Sequence, residues 1–452
     1  MQFVNLPPNG ALTDTYELVS PIGYASQSHC GYCSGKDRRP AKRISYYANA
    51  SALSPAFYQT LLDRYWRRSG KLLYRPNQRD SCCPHYTIRL DSKEFKPSRD
   101  QRQTINRFNS HVLGDQYVKE AARRYPRTKE ESKKRNNEFQ FLERIHEAEH
   151  ATLKRPPEPA HRLDITLEED SFTEEKFAVF DNYQRVIHKD DPGERTRKSF
   201  TRFLCSSPLR RHTETLPDGT KKRLGSYHQC YRLDGKLVAI GVLDLLPQCV
   251  SSVYFFYDES IHRFSPGKLG ALHEIALASE QGYRWWYPGY YIHSCPKMRY
   301  KMDFAPQYIL DPVTLSWDPL DKNVLALLDQ SSYVSLSQQA ASEDQHLNVS
   351  NPTDQGENGY DSHSDDDGTG KSLFDANMPG IPSLAEMENV DMDGIRVLGP
   401  SPVFLYSMSD LVGWDDCTIY DWPKIKARMA ELVGAMGVDT PPKLCIDIMR
   451  RG

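Results

Sequence analysis

Two pairs of cysteines, Cys30 and Cys33 in "HCGYCSGK" and Cys82 and Cys83 in "RDSCCPHY", are the residues best placed by type to do chemistry. Cys-x-x-Cys spacing lets two thiolates reach one metal from a tight turn, which Gly31 eases. Cys82 and Cys83 are adjacent, so they share a site only where the backbone bends, as Pro84 permits. Four thiolates suit tetrahedral zinc or a cubane iron–sulfur cluster; the alternative for the adjacent pair is two core thiols. The first twenty residues lack the basic start and apolar core of a secretory signal. The longest apolar run, "LVAIGVLDLL", is interrupted by Asp244 and falls short of a membrane span. A cytosolic or nuclear chain with no membrane partner is therefore expected, and there thiols stay reduced and clustered cysteines point to metal or catalysis.

Two basic stretches come next. In "DRYWRRSGK", Arg64, Arg67, Arg68 and Lys71 fall at helical spacing. Arg67 and Arg68 suit two-point binding of a carboxylate or phosphate, while the plain alternative is a solvated helix face. In "GYYIHSCPKMRYK", His293, Lys297, Arg299 and Lys301 alternate with Tyr290, Tyr291 and Tyr300. That pattern fits phosphate contacts with base stacking, or else a strand edge guarded by charge. Lys plus Arg total 58 against 60 acidic residues, so any nucleic-acid contact must be local. Asp244 lies in an apolar strand, where a carboxylate is costly unless paired or functional. With His228 and Tyr257 it forms the candidate catalytic set, and the backbone amides near Ser251 and Ser252 are candidate oxyanion donors.

The positioning elements follow from capping and periodicity. A helix is expected from Ser54, with Pro55 at its first position, to a Gly70 terminus. Ser98 with Gln101 and Ser171 with Glu174 read as capping boxes, and Asp234-Gly235 as a hairpin turn between strands. "VSSVYFFYD" continues the sheet, and "RWWYPGYYIH" adds an aromatic strand, giving a mixed α/β (α+β) sheet fold. The expected organisation is an N-terminal domain with the cysteine site (1–118), a charged helical linker (119–160) and a catalytic domain (161–331). A disordered acidic insertion (332–390) and a C-terminal segment packing on the catalytic domain (391–452) complete it.

"CGYCSGK", "DRYWRRSGK", "SCCPHYTIRL", "GVLDLLPQCVSSVYFFYD" and "GYYIHSCPKMRYK", in that order, resemble the signature blocks of the eukaryotic arginyl-tRNA–protein transferase family. The resemblance implies an aminoacyltransferase that moves arginine from arginyl-tRNA to proteins beginning with Asp, Glu or oxidised Cys and feeds a ubiquitin-dependent degradation pathway. It also implies a GNAT-like acyltransferase sheet, and an iron–sulfur cluster ([4Fe-4S]) or zinc on Cys30, Cys33, Cys82 and Cys83. Within that frame Asp244 takes the amine proton or holds the arginyl guanidinium, and Arg67 and Arg68 read the acidic acceptor. Tyr291, His293, Lys297 and Lys301 contact substrate. A non-catalytic reader of acidic N-termini and a transferase of another acyl group are the alternatives.

Overall fold

The structure, a computed structural model, describes residues 15–28, 30–33, 42–189, 191, 193, 195–348, 371–376, 378–399 and 405–447. The N-terminal part supplies strands β1 (Glu17–Gln27), β2 (Arg43–Ala52), β3 (Arg67–Ser69), β4 (Leu72–Pro76) and β5 (Tyr86–Asp91). The middle supplies β6 (Leu163–Glu169), β7 (His212–Thr215), β8 (Lys221–Leu233), β9 (Lys236–Leu246), β10 (Cys249–Tyr257), β11 (Trp285–Tyr287), β12 (Tyr290–Tyr291), β13 (Gln307–Leu310) and β14 (Trp317–Pro319). The C-terminal part adds β15 (Arg396–Leu398), β16 (Leu405–Ser407) and β17 (Leu444–Asp447).

These strands form two sheets. One is seven-stranded, β16-β15-β17-β1-β2-β4-β3; the other is ten-stranded, β14-β13-β5-β11-β10-β9-β8-β6, with β12 on β5 and β7 on β8. β5 thus carries the N-terminal stretch into the middle of the larger sheet. The C-terminal segment, expected against the catalytic half, instead completes the N-terminal sheet, because the buried run Leu444–Asp447 covers the free edge of β1 in parallel. No helix among the described residues is long and apolar enough to cross a membrane.

Local expectations fared unevenly. Ser54 caps a helix with Pro55 at its start, but that helix stops at Leu62, not Gly70. Tyr65 turns left-handed at φ 67, the Trp66 amide bonds back to the Leu61 carbonyl at 2.9 Å and the Tyr65 amide to Leu62 at 3.3 Å. This is a Schellman end. Beyond it the chain becomes β3, so Arg67 and Arg68 are 6% and 5% exposed rather than spread over a solvated helix face. Gly70 turns β3 into β4 at φ +60, where a Cβ would sit 2.0 Å from the Arg202 carbonyl oxygen.

The Ser98–Gln101 capping box is complete and opens Arg99–Arg124. Thr173, not Ser171, caps Glu174–Tyr183, its hydroxyl accepting from the Lys176 amide. Asp234 and Gly235, at φ 53 and 82, turn β8 into β9. In "GYYIHSCPKMRYK" only Tyr290–Tyr291 is strand; Pro296, unable to donate to a ladder, opens a 3₁₀ helix to Asp303.

The segment expected to be disordered has structured borders. Ser335 and Ser337 donate hydroxyls to Asp311 at 3.0 and 2.9 Å, and Ser372 donates to Glu431 at 2.9 Å. Leu373, Met378 and Met387 are buried. Two carboxylates thus satisfy serines whose composition alone suggested solvation; positions 349–370 of the expected insertion lie outside the described residues.

The two sheets meet through an ion pair. Arg68 on β3 grips Asp244 on β9 in a bidentate contact, Nε to Oδ2 at 2.8 Å and Nη2 to Oδ1 at 2.7 Å, with side chains 1% and 0% exposed. Ser226 of β8 donates to the same Oδ1 at 2.6 Å. Removing one partner of such a pair strands the other charge and costs about 3–5 kcal/mol, whereas an apolar pair of similar volume is often neutral. Arg68→Ala and Asp244→Leu should each lower the unfolding free energy measured by denaturant titration by that amount, while Arg68→Met/Asp244→Leu recovers most of it. Equal losses in single and double variants would show that the pair does not hold the sheets.

Candidate active site

The two cysteine pairs converge. Cys30 and Cys33 lie in the turn after β1, Cys82 and Cys83 in the bend between β4 and β5, and their four sulfurs lie within 4.8 Å of one another. Cys33 Sγ is 3.6 Å from Cys82 Sγ, and all four are free thiols. Burial raises Cys30, but hydrogen bonds from the Cys33 and Tyr32 backbone and from neighbouring thiols outweigh it and bring its net position down. Burial pushes Cys82 up to about 11 and Cys83 higher still. One low and two raised thiols in contact are groups crowded for a shared cation. Ser294 donates to Cys83 at 3.4 Å, and Ile292 and Cys295 pack on the cluster, tying it to the stretch that leads to Lys301.

The expected catalytic trio does not assemble. Both Asp244 oxygens are taken by Arg68 and Ser226, so the guanidinium it holds is the chain's own. His228 is 0% exposed, with Nε2 3.0 Å from the Leu204 carbonyl, and burial pushes it down to about 4: a neutral core histidine. Tyr257 hydrogen-bonds His262 Nδ1 at 3.0 Å at the far end of β10, six residues and roughly 20 Å along the strand from Ser251. Tyr291 and His293 contact each other at 2.7 Å, and His293 Nε2 is 2.7 Å from Asp329. Lys297 is exposed, whereas Lys301 is 7% exposed and is not a surface phosphate contact.

What the fold does bring together surrounds Tyr290. The Arg67 guanidinium lies 5.0 Å from the Tyr290 ring and 5.9 Å from that of Tyr287. Its Nη1 donates to the Trp66 carbonyl at 2.8 Å, but Nε and Nη2 are buried with no partner among the described residues. Lys301 Nζ donates to the Tyr290 carbonyl at 2.7 Å; burial, then the Arg67 charge, pushes it down to about 7. His85 stands edge-on to Tyr290 at 5.2 Å, and Thr87, whose hydroxyl also lacks a partner, is the strand neighbour of Tyr290. Buried cations with unspent donors are the mark of an anion site.

Beside them lies Glu274, on the helix Pro266–Glu280 that links β10 to its parallel neighbour β11. It is 1% exposed, and burial raises it to about 7 despite hydrogen bonds from Trp286 Nε1 at 2.8 Å and Ser252 Oγ at 3.3 Å and the nearby Lys301 charge. The β10–β11 pairing ends at Ser251–Tyr287, and β10 bulges between Ser252 and Tyr254. The strand edge next to Ser252 is thus open where Glu274 and Lys301 approach it. Sequence reasoning missed Glu274; its signal was an acid inside the apolar helix "GALHEIALASE".

Residues 28–103 match the family profile "Arginine-tRNA-protein transferase, N terminus", and residues 175–311 match "Arginine-tRNA-protein transferase, C terminus". An "Arginyl-tRNA--protein transferase 1" of Drosophila melanogaster is 29% identical over 72% of this chain and 87% of its own. That of Saccharomyces cerevisiae is 32% identical over 59% of this chain and 51% of its own. An "Aspartate/glutamate leucyltransferase" of Pseudomonas fluorescens is 28% identical over 65% of this chain and 95% of its own. Among solved structures, L-PGS from Bacillus licheniformis overlaps 46% of either chain at 10% identity with a TM-score of 0.26, a likeness too slight to bear on the fold.

Glu274 makes its own pH signature. Between the ordinary glutamate value, about 4.3, and about 7 the folded protein keeps a proton that the unfolded chain has lost, so this group lowers stability as pH rises through that window. The loss amounts to about 4 kcal/mol and is complete above it. Glu274→Gln removes the titration, so the variant should melt close to wild type near the low end of the window and progressively above it toward pH ~8. A difference in melting temperature that does not change with pH would mean that Glu274 ionises normally.

Proposed function

This chain belongs to the arginyl-tRNA–protein transferase family, and on that premise we propose that it transfers arginine from arginyl-tRNA to the α-amino group of proteins beginning with Asp, Glu or oxidised Cys, marking them for ubiquitin-dependent degradation. The observation that carries the acceptor assignment is the buried Arg67–Lys301 pair with open donors at Tyr290. An acidic first residue supplies the missing anion, and bacterial relatives carry aspartate/glutamate in their names. A reducing cytosolic or nuclear setting suits its free thiols.

The reaction forms one bond and breaks one. A neutral α-amine attacks the ester carbonyl joining arginine to tRNA; the C–N bond forms, the C–O bond to the ribose breaks, the amine gives up a proton and the ribose oxygen takes one. An α-amino group with a pKa of roughly 8 is partly neutral already, so a base matched near 7 suffices. Glu274 has that match, and Ser252, bonded to it, lies at the open edge of β10. Backbone amides beside the Ser252–Tyr254 bulge serve as the oxyanion donors in this reading. This mixed sheet, parallel only between β10 and β11 among its described pairs, supports the acyltransferase-type reading. Lys297 and Arg299, both exposed, serve the tRNA phosphates.

The cysteines fit one tetrahedral ion. Zinc–sulfur bonds of about 2.3 Å put thiolates about 3.8 Å apart, close to the 3.6 Å between Cys33 and Cys82. A cubane cluster spreads its ligands over four irons and requires the pairs to separate. Such a closed zinc site supplies no reaction chemistry; it fixes the turn and bend that flank the Tyr290 pocket.

With radiolabelled arginyl-tRNA and a peptide beginning with Asp, label should pass to the peptide; binding without transfer would leave only a reader. Arg67→Ala should lose about 1.5–3 kcal/mol toward Asp-peptides, roughly a ten- to hundredfold fall in kcat/KM, with much less change toward an Asn-peptide. Unchanged Asp preference in a folded variant would move the acceptor pocket away from Arg67. Cys30→Ser and Cys82→Ser should each abolish metal bound by the purified protein, because each removes one ligand of a shared site; metal retained in either would split the quartet.

A further inference from the structure

A second cluster joins the helix that carries Glu274 to the 141–152 segment, outside the site described above. His146, Glu149 and His273 each bring one ligand atom to within 4.8 Å of the others. His146 follows the short helix Phe141–Ile145, and Glu149 precedes the 3₁₀ turn His150–Thr152; His273 lies in the middle of Pro266–Glu280. The ligand atoms therefore come from two segments far apart in sequence.

The three groups are close enough to share one ion. His146 turns Nδ1 to Glu149 Oε1 at 2.5 Å and Nε2 to Glu280 Oε2 at 3.2 Å. An imidazole held at one nitrogen by a carboxylate, with the other nitrogen facing a cluster of ligands, is the usual carboxylate–histidine–metal arrangement. His273 is 3% exposed, and its Nδ1 has no partner among the described residues. Its ring stands edge-on to that of His146, centroids 5.7 Å apart. His146 and Glu280 also line an open cavity of about 1170 Å³, so the His146 side of the cluster is reached from solvent.

Charge favours the same reading. Two carboxylates and two imidazoles balance one dication, whereas without metal only a proton on His146 sits between Glu149 and Glu280. Imidazole and carboxylate ligands suit zinc-class ions rather than the hard cations. We propose that His146, Glu149 and His273 form a second divalent-metal site of zinc class, separate from the four cysteines, with Glu280 positioning His146. Such an ion ties the 141–152 segment to the helix that carries Glu274.

The test uses the full-length protein, stripped of metal under reducing conditions and titrated with Co²⁺. Cobalt on thiolates shows sulfur-to-metal charge transfer, and cobalt on imidazole and carboxylate shows only d–d bands. Two equivalents should bind, one of each kind. His146→Gln and His273→Asn should remove the d–d-only equivalent and leave the thiolate signature intact, and Glu280→Gln should weaken that equivalent by about 10- to 100-fold. Should His273→Asn fail to fold, His146→Gln and Glu149→Gln carry the decision, since both residues are partly exposed. Binding confined to the thiolate equivalent, or a second equivalent indifferent to these substitutions, would overturn the proposal and leave His146 a protonated clamp between two carboxylates. Neither readout depends on arginyl transfer, so failure here is separable from failure of the proposed activity.

Discussion

Arg68 carries a guanidinium from the edge of one sheet into the interior of the other, and the arrangement of the site depends on that crossing. Asp244 faces it from β9, in register with Ser226 on β8 and Ser251 on β10, and Ser251 is in turn in register with Tyr287 on β11. One row of side chains across four strands therefore lies under the N-terminal sheet. The neighbouring residue, Arg67, comes from a strand already fixed by this contact, so its guanidinium arrives over Tyr287 and Tyr290 without needing a carboxylate of its own. Adjacent arginines of one motif thus have opposite duties. One is fully spent on the fold, and the other is left with open donors.

The same economy of position explains Glu274. Helix Pro266–Glu280 can carry a buried acid to Ser252 only by lying very close to β10. Gly270 makes that approach possible, since a Cβ there would stand 2.2 Å from the Phe255 ring. Desolvation then raises Glu274 and lowers Lys301, so both groups sit at about 7. A buried acid and a buried amine that each change charge near neutral pH make a poor structural ion pair and a responsive proton site.

Much of this was legible in the residues. The cysteine spacing foretold the quartet, a carboxylate in an apolar strand required a partner, and Asp234-Gly235 marked the hairpin. The errors share one cause, which is tertiary context overriding local periodicity. "DRYWRRSGK" has helical spacing of its basic residues, yet Tyr65 reverses the chain and burial turns Arg67 and Arg68 inward. Lys301 looked like one more surface charge among Lys297 and Arg299, because sequence alone does not show that a 3₁₀ turn folds it under Tyr290. Ser-rich borders of the acidic segment looked solvated until Asp311 and Glu431, from elsewhere in the chain, satisfied their hydroxyls.

The cysteine quartet and the Tyr290 pocket are physically continuous, and this decides what a metal there governs. Cys83 is followed by Pro84 and His85, whose ring bridges Tyr32 of the first cysteine turn to Tyr290 of the pocket at 5.2 Å on either side. On the other flank Ser294 hydrogen-bonds Cys83, Cys295 packs against the cluster, and the turn that follows delivers Lys301 to the Tyr290 carbonyl. Both walls of the Tyr290 pocket are therefore anchored on the same four sulfurs. The Arg68–Asp244 pair lies outside this linkage and keeps the sheets joined. The spacing of the four sulfurs thus bears on the shape of the Tyr290 pocket, while the buried ion pair bears on how the two sheets stay joined.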